Sequence, residues 1–475
     1  MIAMKRILLG IIGCCCLLLS SCAQQPINSK EMNLSLPIAF PGAEGFGKYT
    51  SGGREGKVMI VSNLNDNGPG SFREAVSAKG KRIVVFSVSG TIHLETKLSI
   101  KGDITIAGQS APGDGICLAD NAVMIGGDNI IVRYLRFRMG DKYQKGGMVD
   151  GNGGDDAFGG TRRKNIIIDH CSISWSTDEA FSVYAGDSTT LQWNLISEPL
   201  NYSYHYETGD KDYEHHGYGA IWGGFHLSAH HNLFAHCNNR NPRFDGIRNT
   251  PEENVDYRNN LIYDWGINNI YAGEGGNYNL VNNYYKYGPS TSKGSKFRIA
   301  NPGKTDKIPF GKWYVKGNYV DEAPDVTANN VLGVQMGNGG TEADKAIAVV
   351  NSPIAAEAIP EQTAKDAYQA VLMYVGASFK RDTLDERIIN EVKNRTGGFI
   401  DVQGGYPHGT EYEKTVTAWP TLKSLVAATD TDKDGIPDAW EKKNGLDASN
   451  SGDASTYKLS KTYTNIEVYL NGLLK

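Results

Sequence analysis

The 475 residues are 40% hydrophobic and carry a formal charge of −5. That balance excludes a disordered chain, and no clustered basic footprint for nucleic acid is present. The length suits one large domain with a small appendage.

Lys5 and Arg6 precede an apolar run, Ile7 to Leu19, that closes in Leu19-Ser20-Ser21-Cys22. The run is short for a membrane span, and a simple secretory signal would look similar. The small residues before a cysteine resemble a bacterial lipobox. Residues 1–22 are therefore expected to be a lipoprotein signal with lipid attachment at Cys22. The implied location is the outer membrane, on its periplasmic or cell-surface face. Residues 23–36 are polar and read as a tether. Of the seven cysteines, only Cys22, Cys117, Cys171 and Cys237 lie outside the apolar run. With Cys22 acylated, three remain, which is no disulfide framework. Cys171 and Cys237 sit in strand-like contexts and read as small buried hydrophobes.

Structure is expected from residue 37. The first block, AFPGAEGFGKYTSGGREGKVMIVSNLNDNGPGSFREAV, is rich in glycine turns. Val58 to Val61 reads as a strand, Gly70 to Val76 as a short helix, and Arg82 to Val88 and Leu98 to Ile106 as further strands. From there the chain repeats itself. Short alternating apolar segments recur at Asn129, Asn165, Thr190, His226, Val255, Tyr278 and Trp313, a solenoid signature. Asn194, Asn232, Asn260, Asn283 and Asn318 hold similar places in their segments. In a stacked coil an inward asparagine bonds backbone groups of the next rung. The predicted fold is all-β, a right-handed parallel β-helix. Gln362 to Tyr374 and Asp382 to Val392 have helical spacing and are expected to lie against its outside or end. Residues 37–420 read as the β-helix domain with this late helical extension, and 421–475 as a C-terminal segment.

The tail holds Asp430, Asp432, Asp434, Asp438 and Glu441 at positions 1, 3, 5, 9 and 12 of a calcium-loop pattern, with Gly435 at position 6. Pro437 tells against a regular helical pair there, so a calcium clip is expected rather than a sensor. Tyr463 to Leu470 reads as a short closing helix.

The centre of the chain is FHLSAHHNLFAHCNNRNPRFDG, residues 225–246. Its strand leads into a turn with Arg240, Pro242 and Arg243. This segment, the opening Gly-rich block, the rung IIIDHCSIS and the later YRNNLIYDW resemble pectate lyases of polysaccharide lyase family 1, over about residues 38–320. The late helices and calcium tail resemble the extension of secreted relatives from Bacteroidetes-type bacteria. The resemblance implies a calcium-dependent enzyme that cleaves polygalacturonate, the pectin backbone, by β-elimination. It places the base on Arg240, an unusual choice because guanidinium holds its proton into alkaline pH. Adjacent calcium and cations would ease the transfer. Arg243 is implied in substrate binding or in holding the turn. The family's two acidic places fall on Asp155 and Asp156 and on Asp178 and Glu179, with Asp156 and Asp178 foremost.

There are departures. Asp245 stands where the family often has another arginine, with Arg248 nearby as a candidate substitute. The stretch Glu214 to Gly219 has no substrate-binding lysine, and His215 and His216 are candidates to contact substrate or cap a turn. Ser182 stands where a further aspartate is common. Two other readings stay open. A polygalacturonase-like hydrolase would use the acids at 155, 156, 178 and 179 as a pair. A non-catalytic pectin-binding surface lipoprotein would keep the coil alone. A monomer is expected.

Overall fold

The computed structural model describes residues 36–145, 154–206 and 211–474. Cys22 and the leader lie outside them. Among the described residues no helix is long and apolar enough to cross a membrane, and Cys117, Cys171 and Cys237 are buried free thiols.

Residues 37–475 form one compact unit wound as a parallel β-helix. Each predicted segment is two strands, not one, because a corner divides it. Ile130–Arg133 is followed by Leu135–Arg138, Leu227–His230 by Leu233–Ala235, and Asn254–Arg258 by Leu261–Tyr263. A residue with positive φ makes each corner: Tyr134, Trp193, His231, Asn259 and Asn282 all lie between 54° and 58°. The first strands of these pairs stack in one parallel sheet and the second strands in another. A third sheet holds Phe158–Thr161, Ile221–Gly224, Arg243–Phe244 and Ile270–Ala272. The long strand Phe181–Gln192 runs through both the third sheet and the first.

Alternation decides what each side chain meets. In the second sheet Ile196, Phe234 and Ile262 point into the central core. Their neighbours Leu195, Leu233 and Leu261 point outward and pack on Val371, Leu372, Ile388 and Val392. Those residues belong to the helices Ala364–Tyr374 and Thr383–Asn394. The late helices thus cover the outer face of the second sheet. Asp382, the N-cap of the second helix, and Asp385 accept from the buried Arg138 guanidinium at 2.5 and 2.9 Å.

His236 makes a further clasp. Its Nδ1 lies 2.8 Å from Asp264 and its Nε2 3.2 Å from Glu391 on the second helix. Burial opposes protonation, but the two carboxylates prevail and push the imidazole up to about 9 from 6.5. The folded value exceeds the unfolded one, so this stabilisation is complete below about 6.5 and lost as pH rises through about 9. The unfolding-temperature gap between wild type and His236→Gln is expected to narrow between about pH 6 and pH 9.5. A gap of constant size at both ends contradicts that role.

The asparagines form the ladder that the sequence suggests. The Asn232 side-chain oxygen accepts from the Asn194 backbone at 2.9 Å, and Asn260 does the same for Asn232. Asn283 and Asn318 continue the series, and Asn330 ends it. Asn260 also donates to the Ala229 carbonyl at 2.9 Å. Asn260→Ala would strand at least two buried backbone groups, each costing roughly 1–3 kcal/mol. A loss of about 3 kcal/mol is expected in denaturant unfolding. A change under about 0.5 kcal/mol would show that the ladder is ornamental.

Candidate active site

The site lies in the turns that lead from the second sheet to the third. Successive rungs place these turns one above another by backbone bonds. Asp178 donates its N–H to the Asp155 carbonyl, Ala180 to Tyr218, and Ala220 to Arg240. Residues distant in sequence become neighbours because each occupies the same turn of its own rung.

Asp156, Asp178 and Glu179 bring one carboxylate oxygen each to within 4.8 Å of the others. The Ser182 hydroxyl bonds Asp156 and accepts from Ile221 N–H at 3.0 Å. Burial, and then the Asp178 charge, push the Asp156 carboxyl well above the usual carboxylate range. Burial also works against Asp178, but the His216 hydrogen bond and the charges of His216, His205 and Arg240 hold its carboxyl low. Three oxygen ligands in half-buried mutual repulsion suit a hard divalent cation. A second grouping, Asp178, His205 and His216, already spends both His216 nitrogens. Nε2 is 2.7 Å from Asp178 and Nδ1 3.2 Å from Glu214.

Arg240 faces the carboxylates. Its guanidinium pairs with Glu179 and lies 4.1 Å from the Tyr218 ring centroid. The side chain keeps 23% exposure, so an incoming ligand has access to it. Arg240 itself has φ 60°.

The other expected site residues are placed as follows. Asp155 is adjacent but turned away, held by Lys97 and by Gln144 at 2.8 Å. His216 is buried beneath Asp178, where it orients that carboxylate. His215 is exposed and stacks on Tyr202 at 4.6 Å. Arg243 projects from the outer face of the third sheet. Its register partners there are Ile221 and Tyr271, and it lies 3.9 Å from Asp245 and 3.7 Å from Glu274. Arg248 pairs with the same Glu274.

Sequence reasoning missed Lys97, His205, Tyr218 and the ring of His408, which lies 4.4 Å from Tyr202. Lys97 comes from a rung two turns earlier, and nothing in its local sequence marks it. His408 belongs to residues 396–415, a second Gly-rich stretch that reads as loop and carries no site motif. In the tail, Asp430, Asp432 and Asp434 converge, and Asp434 also meets Glu441 and Asp453. Asp438 does not join them: its two oxygens accept from the Thr431 N–H and hydroxyl at 2.8 Å. Pro437 is the N-cap of a single helix, Asp438–Asn444, and among the described residues no helix leads into the loop from the other side, so the loop has no regular helical pair around it.

Fold and site together define a β-helical protein whose stacked turns set an arginine against a carboxylate cluster. The chain is 36% identical to a probable pectate lyase C of Aspergillus flavus over 449 residues, 92% of this chain and 94% of that one. It is equally identical, at 36% over 462 residues, to its namesake in Aspergillus terreus, covering 93% and 95%. The chain belongs to the pectate lyase family, a family of polysaccharide lyases. The match over 92% of the chain reaches well past the 38–320 stretch that carries the motifs. It also shows that the late extension is not confined to bacterial relatives. No family model matches the chain. Among solved structures, the cedar pollen allergen jun a 1 is 18% identical with a TM-score of 0.47, covering 70% of this chain and 92% of that one. A pectate lyase bound to hexasaccharide is 15% identical with a TM-score of 0.47, covering 73% and 99%.

Proposed function

We propose that the protein is a calcium-dependent pectate lyase that cleaves α-1,4-linked polygalacturonate by β-elimination, with Arg240 as the base. The observation that carries this reading is the Arg240 guanidinium set beside Asp156, Asp178 and Glu179. A cation held by those three carboxylates would supply positive charge against the substrate's uronate group and stabilise the charge that develops at C5. Arg240, once its guanidinium has released a proton to solvent, takes the C5 proton as the neutral guanidine and returns to guanidinium. The electrons of the C5–H bond form the C4–C5 double bond, and the C4–O bond breaks. The leaving oxygen takes a proton from solvent. Glu179 and the Tyr218 ring orient the guanidinium, which raises the fraction of bound substrate poised to react. His216 holds Asp178 in the ligand geometry, as outer partners of metal ligands do.

A hydrolase needs one carboxyl as acid and another as base, on either side of the scissile bond. Here the three acids bring one oxygen each to within 4.8 Å of one another, a cluster that suits a shared cation better than separate acid and base roles. The test is incubation of purified protein with polygalacturonate, with calcium and with chelator. Ultraviolet absorbance from an unsaturated product end, lost on chelation, is expected. Bond cleavage without that absorbance rejects the lyase reading, and cleavage that survives chelation rejects calcium.

A further inference from the structure

The catalytic reading leaves the tail loop unused, and the tail carries a separate site. Asp430, Asp432 and Asp434 lie within 4.8 Å of one another through one oxygen each, and so do Asp434, Glu441 and Asp453. Asp434 belongs to both groups and joins the five carboxylates in one continuous cluster. The independent sign of a ligand is Glu441. It is fully buried, and neither of its oxygens has a hydrogen-bond partner. One oxygen of Asp434, which is 2% exposed, one of Asp453 and both of Asp432 are also unpartnered. Buried carboxylate oxygens do not stay unsatisfied without cost. Burial and the neighbouring acids push the Asp434 and Glu441 carboxyls up to about 7.

We infer that Asp430, Asp432, Asp434, Glu441 and Asp453 hold a structural calcium ion that clasps the C-terminal segment to the first rungs of the coil. All five are hard oxygen donors, with no imidazole or thiol. A cage made of protein carboxylates suits calcium, whereas magnesium keeps most of its waters. The fifth ligand comes from outside the loop pattern. Asp453 lies in the cluster, whereas Asp438 does not and turns to Thr431 instead.

The clasp follows from what the loop touches. Ile436, at the loop's centre, is buried against Ile83, Val85 and Ala107 of the first sheet, together with Ile466 and Leu470 of the closing helix Asn465–Gly472. The Asn465 amide donates to the Asp453 carbonyl at 2.9 Å. Two residues on, Glu467 pairs with Arg54 at 2.9 Å, and Arg54 donates to the Ile38 and Ala39 carbonyls. One ion would therefore order the loop, the closing helix and the strand entry where the described chain begins.

The test uses the full mature chain and calcium chloride. Calcium content after equilibrium dialysis is measured for wild type, Glu441→Gln, Asp453→Asn and Asp438→Asn. Wild type and Asp438→Asn are expected to hold one more ion per chain than Glu441→Gln, and Asp453→Asn to bind at least tenfold more weakly. Chelation should lower the unfolding temperature of wild type by about 3 °C and expose its C-terminus to protease, while Glu441→Gln is insensitive. Should Glu441→Gln fail to fold, terbium luminescence sensitised by Trp440 reads the site in Asp453→Asn. Equal calcium content in wild type, Glu441→Gln and Asp453→Asn overturns the site. Loss of binding in Asp438→Asn but not in Asp453→Asn overturns this ligand set. Asp178→Ala removes only the catalytic ion, so failure of either site is recognisable without the other.

Discussion

Arg240→Lys is expected to lower turnover on polygalacturonate by about 10²–10⁴-fold, the usual contribution of a positioned acid or base, with little change in unfolding temperature. Lysine keeps the positive charge and most of the aliphatic stem, so the turn retains its ion pair with Glu179 in weaker form. What it loses is the planar fork that lies 4.1 Å over Tyr218 while facing the carboxylates. The core is not involved: the turn is held by backbone bonds to Asn269 and Ala220 and by the buried Asn241 amide. The measurements are kcat and KM against thermal unfolding, on wild type and variant. A fall in kcat with KM unchanged is the pattern of an interaction made only in the transition state. Near-normal turnover removes Arg240 from the chemistry, and a large fall in stability makes its role structural.

Asp178→Ala is expected to raise the calcium concentration needed for half-maximal rate by about 100-fold or to abolish the rate altogether. Asp178 is the carboxylate shared between the cluster and His216, 2.7 Å away. Removing it costs one oxygen ligand and frees the imidazole that orients the site. Stability should change little, because the side chain is 24% exposed and packs against no apolar core. The rate is titrated with calcium for both proteins at saturating substrate. A titration curve that superimposes on that of wild type excludes Asp178 as a ligand. Asp155→Ala serves as the contrast: Asp155 is held by Lys97 and Gln144 outside the cluster, so its effect on the calcium requirement should be several-fold smaller.

Which features were legible follows from their range. The stacked asparagines could be read because equal places within repeated segments become one column when the segments stack, and a column of buried amides must satisfy itself. The two late helices were legible from apolar spacing, and the structure starts them at Ala364 and Thr383. The corners were not. Tyr134, Trp193 and His231 adopt positive φ although bulky residues are poor candidates for it, so unbroken alternation concealed a change of sheet. At the site, the acidic pairs and the arginine turn were marked by motif, with Asp156 and Asp178 put foremost, but the motif did not show that both acids of the second pair, Asp178 and Glu179, reach the cluster. Asp156 turns to the cluster, while Asp155 meets Lys97 from an earlier rung. Asp453 escaped notice because it lies twelve residues beyond Glu441, past any local spacing, and reaches the loop only through the fold. His205 and Tyr218 act through stacking and charge across rungs, which no single segment displays.

The central claim is that the Arg240 and carboxylate cluster performs elimination rather than hydrolysis. Digestion of polygalacturonate in oxygen-18 water, followed by mass spectrometry of the fragments, separates the two by bond. Elimination breaks the C4–O bond, leaves the bridging oxygen on the released reducing end and admits no solvent oxygen. The account predicts fragments with an unsaturated non-reducing end, lighter by one water than hydrolytic ones, and no label in the new reducing end. Saturated fragments carrying oxygen-18 at the reducing end would contradict it.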